Sequence, residues 1–162
     1  MATPAETIEL KLLDATDCFY TLCVPARMVE ADPRLATVAE QLRGILQSAT
    51  RGVVQVTPER VIRSLFLLID LDRTGPTHPP AWALQVQGVD ILISGKDAAC
   101  VALAAARLLT EAGFRIFDGR ACLDRDASPA AADGVVIWHG RDQVDLAPQA
   151  DPVWLQLLLP DR

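Results

Sequence analysis

The sequence predicts a mixed α+β domain, with two strand–helix–strand passages folded into one sheet and the helices on one face. Three observations predict it. Residues 7–13 and 82–87 alternate apolar and polar side chains, the period of strands that keep one face against a core. Two stretches with apolar residues at helical spacing, 32–46 and 97–112, each lie between strand-like stretches. The chain has 162 residues, 51% apolar and 22% charged, which is the length of one domain and enough apolar material for a core without disulfides or a structural metal.

Thr7–Leu13 places Ile8, Leu10 and Leu12 on one face and Glu9 and Lys11 on the other, a half-buried strand. Cys18–Val24 is apolar on both faces and reads as a more central strand or as the hairpin partner of the first. Asp32-Pro33 opens a helix, with Asp32 as N-cap and Pro33 at the first helical position, where a missing N–H costs nothing. Leu35, Val38, Ala39, Leu42, Ile45 and Leu46 then form its core stripe, and Gly52 marks a stop.

Residues 53–71 carry two signals. Thr57-Pro58-Glu59 has the form of a helix start, whereas the continuous run Leu65–Ile69 has that of a buried strand, the preferred reading for 61–71. Prolines and a glycine then make 73–80 a loop. Trp82, Leu84 and Val86 share a face until Gly88, where the phase slips, as it does at a bulge or a tight turn. Val89–Ser94 is a strand, Asp97 caps an alanine-rich helix to Ala112, Gly113 ends it, and Phe114–Asp118 is the next strand, joined by a right-handed crossover.

Residues 124–134 have loop composition, 135–138 a short strand, and Asp151-Pro152 caps a last amphipathic turn or two with Val153, Trp154, Leu157 and Leu158. Two interleaved units of this kind give a ferredoxin-like α/β sandwich with a βαββαβ core, an extra N-terminal strand and a C-terminal appendage. A small doubly wound parallel sheet is the alternative, and the half-exposed alternation at 7–13 and 82–87 weighs against it. On this reading residues 1–123 form a single α+β domain, on which an acidic loop, a short strand and a helix from 124–162 pack.

Fifteen Lys and Arg against twenty-one Asp and Glu give a net charge of −6, which repels phosphate backbones and excludes nucleic acid as a first partner. Residues 124–162 alone hold seven Asp and three Arg. The apolar runs fall far short of the ~20 residues that span a bilayer. The start, MATPAETIELKLL, has acids where a signal peptide needs bases. The expectation is therefore a soluble cytoplasmic protein with no membrane partner. Cys18, Cys23, Cys100 and Cys122 form no CxxC pair and sit among apolar neighbours, as free thiols in a reducing compartment do, so no metal and no cofactor is expected. Thirteen Arg, two Lys and no Asn suit a GC-rich bacterial genome.

The sharpest chemical pattern is Leu67-Leu-Ile-Asp70-Leu-Asp72-Arg-Thr74, an apolar strand ending in D-x-D-x-T. Two carboxylates two apart on a strand share a face, where one can attack phosphorus while the other protonates the leaving oxygen. The pattern resembles the first motif of haloacid-dehalogenase-type phosphohydrolases. The resemblance covers about eight residues. It implies a magnesium ion, Asp70 as nucleophile, Asp72 as acid/base and Thr74 as a positioning group. Ser94 would stand for the second motif, and Asp118 with Asp124 for the distal metal-binding acids.

No phosphate loop, GxGxxG, HExxH or GxSxG is present; His78 reads as a turn residue and His139 as the end of a strand. The preferred function is non-enzymatic. The layout resembles that of small bacterial proteins, immunity- and regulator-type proteins among them, that bind a protein partner through an acidic face. Asp70, Asp72, Asp124, Asp126 and Asp142 would supply the charge toward a basic surface, with His78 in the stiff proline loop and Trp82 at its far end. Self-association through a sheet face or through 151–159 is the further possibility.

Overall fold

A computed structural model describes residues 7–69, 81–146 and 151–160. Ten strands and five helices run in the order β1 (Ile8–Leu13), β2 (Thr21–Cys23), α1 (Ala26–Ala31), α2 (Arg34–Gln47), β3 (Val56–Thr57), β4 (Ser64–Ile69), β5 (Trp82–Gln87), β6 (Asp90–Gly95), α3 (Ala98–Glu111), β7 (Phe114–Phe117), β8 (Arg120–Leu123), α4 (Pro129–Ala132), β9 (Val136–Gly140), β10 (Gln143–Asp145) and α5 (Pro152–Leu158), counted among the described residues. The chain is a mixed α+β domain.

The main sheet has the order β10-β5-β6-β4-β2-β3. Strands β3, β2, β4 and β6 are parallel neighbours, and β5 is antiparallel to both β6 and β10. Side chains alternate across it. Leu22, Leu65, Leu67, Leu84, Ile91 and Ile93, none more than 1% exposed, share the face against which α3 lies. On the opposite face Phe66, Leu68 and Leu92 are half-buried and Gln85 is exposed. Strands β1 and β9 form a separate antiparallel pair whose Leu10, Leu12, Val136 and Trp138 join the same core. Helix α5 closes that core, with Trp154 and Leu158 buried against α2 and α3.

The elements with local signals form where their residues direct. The Asp97 carboxylate accepts the Cys100 N–H at the start of α3, and the Asp151 carboxylate accepts the Trp154 N–H at the start of α5. Of the 61–71 stretch, Ser64–Ile69 is a strand, β4, residues 70 and 71 lie outside the described residues, and the slip at Gly88 is the tight turn between β5 and β6.

The ferredoxin-like arrangement is not confirmed, because β7 does not return to the main sheet. Asp118 (φ 50°) and Gly119 (φ 75°) both take the left-handed conformation that a two-residue hairpin turn needs, so β8 folds back on β7 and the two form their own sheet. The crossover expected from β6 through α3 to β7 is therefore absent. Two further helices form: α1 at 26–31, for which no element is expected, and α4, within the expected 124–134 loop, whose N-cap Ser128 hydroxyl accepts the Ala131 N–H. Asp32 also does more than open a helix. Its carboxylate accepts the Arg34 N–H at 3.1 Å and, from 66 residues away, the Ala98 N–H at the start of α3 at 3.0 Å.

Candidate functional site

Strands β4 and β6 end together at Ile69 and Gly95, and β2 ends at Cys23, opposite Phe66; this is the edge at which open α/β sheets place their ligands. Asp70, Asp72, Thr74 and His78 lie outside the described residues. The described part of this edge is packed. The Met28 sulfur accepts the Ile69 N–H, and Ser94, 4% exposed, directs its hydroxyl to the Ala83 carbonyl at 3.5 Å. The first turn of α3 already has two carboxylates on it, Asp97 and Asp32, so an incoming phosphate meets negative charge there.

Arg34 lies across Asp32 at 2.8 Å, and that pairing, with the amide hydrogen bonds, lowers the Asp32 carboxyl from an ordinary 3.8 to about 2. A carboxyl with a depressed folded value stabilises the protein above its unfolded value, and the contribution fades as pH falls from about 4 toward 2. Asp32→Asn keeps an oxygen for the amides and gives up the charge, so it is expected to cost about 1 kcal/mol at pH 7 and almost nothing at pH 2. Urea titrations of both proteins across pH check this; a gap independent of pH contradicts it.

Trp82 is not a surface residue. It is 3% exposed, on the face that packs beneath α3, and the Arg107 guanidinium stands 5.6 Å from its ring centroid. The strand at 82–87 starts inside the core and becomes exposed toward Gln87, which places its aromatic end inward. The acids of 118–145 occupy separate places. Asp118 is at the turn of the β7–β8 hairpin and Asp124 at its open end, where the Asp124 carboxylate accepts the Asp126 N–H. Asp142 binds the Val86 N–H of β5 at 2.9 Å. Asp126 and Asp142 are exposed. Among the described residues no three His, Cys, Asp or Glu side chains are grouped to hold a metal. The cysteines are free thiols, and burial raises Cys18, Cys23 and Cys100 above the usual thiol range.

A recess of about 450 Å³ lies at the opposite end of the parallel strands, between the turn that precedes β4 and the β5–β6 turn. Its floor is Asp90, 4% exposed, the first residue of β6. Asp90 Oδ1 accepts the N–H of Ser64 at 2.9 Å, the amide that opens the parallel ladder, and Oδ2 accepts Arg60 Nη2 at 3.1 Å. A buried carboxylate is thus satisfied by a buried amide and by a guanidinium whose own side chain is 72% exposed. Arg60 also stands 6.0 Å from the Phe66 ring centroid, joining the recess to the open face of the sheet.

Both walls are held in place. The Ser64 hydroxyl donates to the Val61 carbonyl at 2.6 Å and receives the Val61 N–H, and Arg63 between them is in the left-handed region at φ 63°. The Tyr20 hydroxyl donates to the Val89 carbonyl at 2.6 Å on the other side. The tops of these walls are aliphatic: Val61 is 41%, Val89 45% and Ile62 84% exposed. This arrangement suits binding. Both Asp90 oxygens are engaged, and the aliphatic rim stands open to solvent.

Sequence reasoning did not reach this recess. Arg60 and Asp90 are 30 residues apart, and the one local signal, an acid at the start of an otherwise apolar strand, names no partner. A second recess of about 270 Å³ holds Glu9 and His139, but its other polar groups are committed. Glu111 accepts from Trp138 and Gln143, Arg115 donates to the carbonyls of Thr110 and Phe114, and Ser128 caps α4.

No protein-family model matches the chain, and no curated protein does. Among solved structures, it is similar to Streptomyces plicatus N-acetyl-beta-hexosaminidase in complex with Thio-NAglucal, at 16% identity and a TM-score of 0.55 over 87% of this chain and 24% of that one. It also matches a GH138 enzyme targeting pectin rhamnogalacturonan II, at 22% identity and a TM-score of 0.40 over 61% of this chain and 11% of that one. The chain thus spans about a quarter of the hexosaminidase, and the likeness is one of fold.

Proposed function

We propose that this chain is a non-enzymatic protein-binding domain and that its contact surface is centred on the Arg60–Asp90 recess. The observation that carries the reading is Ile62, a β-branched side chain 84% exposed at the tip of a hydrogen-bonded turn, beside a guanidinium anchored on a buried carboxylate. An aliphatic and arginine surface held rigid before contact is what a partner can bind at low entropic cost. The immunity- or regulator-type role, bacterial origin and cytoplasmic location belong to the same proposal. The net charge of −6 favours a partner that is basic at long range.

Display selection of random peptides on the immobilised full chain tests the reading. Peptides are expected to be enriched on the native chain and to bind about tenfold more weakly to Ile62→Asp. No enrichment, or enrichment indifferent to Ile62, contradicts it. A second reading, the magnesium-dependent phosphohydrolase, draws on the register Ile69 with Gly95, after which Asp70 follows at the carboxyl end of a central parallel strand. Magnesium-dependent turnover of p-nitrophenyl phosphate that is lost in Asp70→Asn would replace the binding reading with that one.

A further inference from the structure

We infer that the recess recognises a peptide segment carrying a branched aliphatic residue next to a carboxylate, with the aliphatic side chain between Ile62 and Val89 and the carboxylate on Arg60. The inference rests on the protein-binding reading and specifies the partner's chemistry.

The argument for the carboxylate begins with donors. A guanidinium has five N–H groups, and among the described residues Arg60 spends one of them, on Asp90. That bond and the Phe66 ring fix the orientation of the planar group, while most of the side chain faces solvent. A pre-oriented fork with donors to spare matches a second carboxylate in the bidentate mode better than a neutral amide, which offers one acceptor oxygen. Glu59, the other acid of this turn, does not line the recess, and Asp90 is below the surface, so the charge presented at the rim is positive.

The argument for the aliphatic residue begins with the walls. Val61, Ile62 and Val89 expose apolar area that the fold leaves in water, and a volume of about 450 Å³ takes one or two branched side chains with their backbone. Gly88, in the β5–β6 turn that forms one wall, has open space where a β-carbon would stand, so a peptide backbone can approach there without meeting a side chain. The net charge of −6 opposes an acidic segment at long range, so the segment is held by contact, within a partner whose wider surface supplies the attraction.

The test uses fluorescein-labelled peptides of sequence Gly-Ser-Leu-Glu-Gly-Ser, with Gln for Glu and Ala for Leu as controls, titrated by anisotropy against the full chain. The Leu-Glu peptide is expected to bind about fivefold more tightly than either control. Arg60→Gln should abolish the preference for Glu over Gln, and Ile62→Ala, at an exposed position that the fold does not need, should reduce the preference for Leu over Ala. Equal binding of the Glu and Gln peptides overturns the inference, as does a Glu preference that survives Arg60→Gln. If display selection yields Ile62-dependent peptides without acids, the inference fails while the protein-binding reading stands. If it yields no Ile62-dependent peptide, that reading fails.

Discussion

Gly95→Ala is expected to lower the stability of the fold by about 3 kcal/mol. A β-carbon at this position would lie 2.7 Å from the Val101 nitrogen and 2.8 Å from Cys100 Cβ, inside the distance that non-bonded atoms tolerate. The atoms in the way belong to the first turn of α3, which cannot rotate aside as a side chain can. Helix and strand must separate, and with them the layer in which Ile91, Ile93, Val101 and Ala105, each fully buried, are packed. Gly44→Ala is the control. It lies in α2 with nothing within 4 Å of the added carbon, and it should gain up to about 1 kcal/mol from helix propensity alone. Urea denaturation of the three proteins checks both values, and a Gly95→Ala protein as stable as the parent would mean that α3 does not sit so close on β6.

Asp90→Ala should cost about 2–3 kcal/mol, more than its exposed ion pair alone would suggest. The pair with Arg60 involves a partner 72% exposed and contributes little by itself. The larger effect is on Ser64, 0% exposed, whose N–H loses its acceptor in a place that water does not reach. Asp90→Asn keeps an oxygen for that N–H and gives up only the charge, so it should cost about 1 kcal/mol. Chemical denaturation of the two variants separates the contributions. Equal losses would assign the stability to the ion pair and not to the amide.

The readable parts of this fold are those whose signals are contained within about fifteen residues. Helix α3 is an example: Asp97 caps it, alanines at helical spacing let it lie close, and Gly113 follows it. Strand β1 and the stripe of α2 are legible for the same reason, as is α5 behind Asp151-Pro152. The β7–β8 hairpin was also written locally, in Asp118-Gly119, a dipeptide suited to a two-residue turn. Reading Phe114–Asp118 as the closing strand of a crossover passes over it, because β7 taken alone is equally good for either pairing.

Of the candidate site, the sequence displayed the acids and the proline loop, which are conspicuous in composition, and concealed Arg60, Ile62 and Asp90, which are ordinary residues in their own neighbourhoods. Trp82 shows the same limit. Alternation says that one face of its strand is buried, but not that the buried end is the one carrying the indole.

By itself the sequence determined the class of the fold, the position of most helices and strands, and an anionic exterior, since propensity, capping and apolar period act between residues close along the chain. The tertiary structure alone decided which strands meet: β1 with β9, β2 between β3 and β4, and β7 with β8 away from the main sheet. It also decided that a carboxylate at 90 would sit beneath a guanidinium at 60. Pairings across such separations have no local signature. They are selected by how completely the whole chain buries its apolar faces and satisfies the amides that burial removes from water.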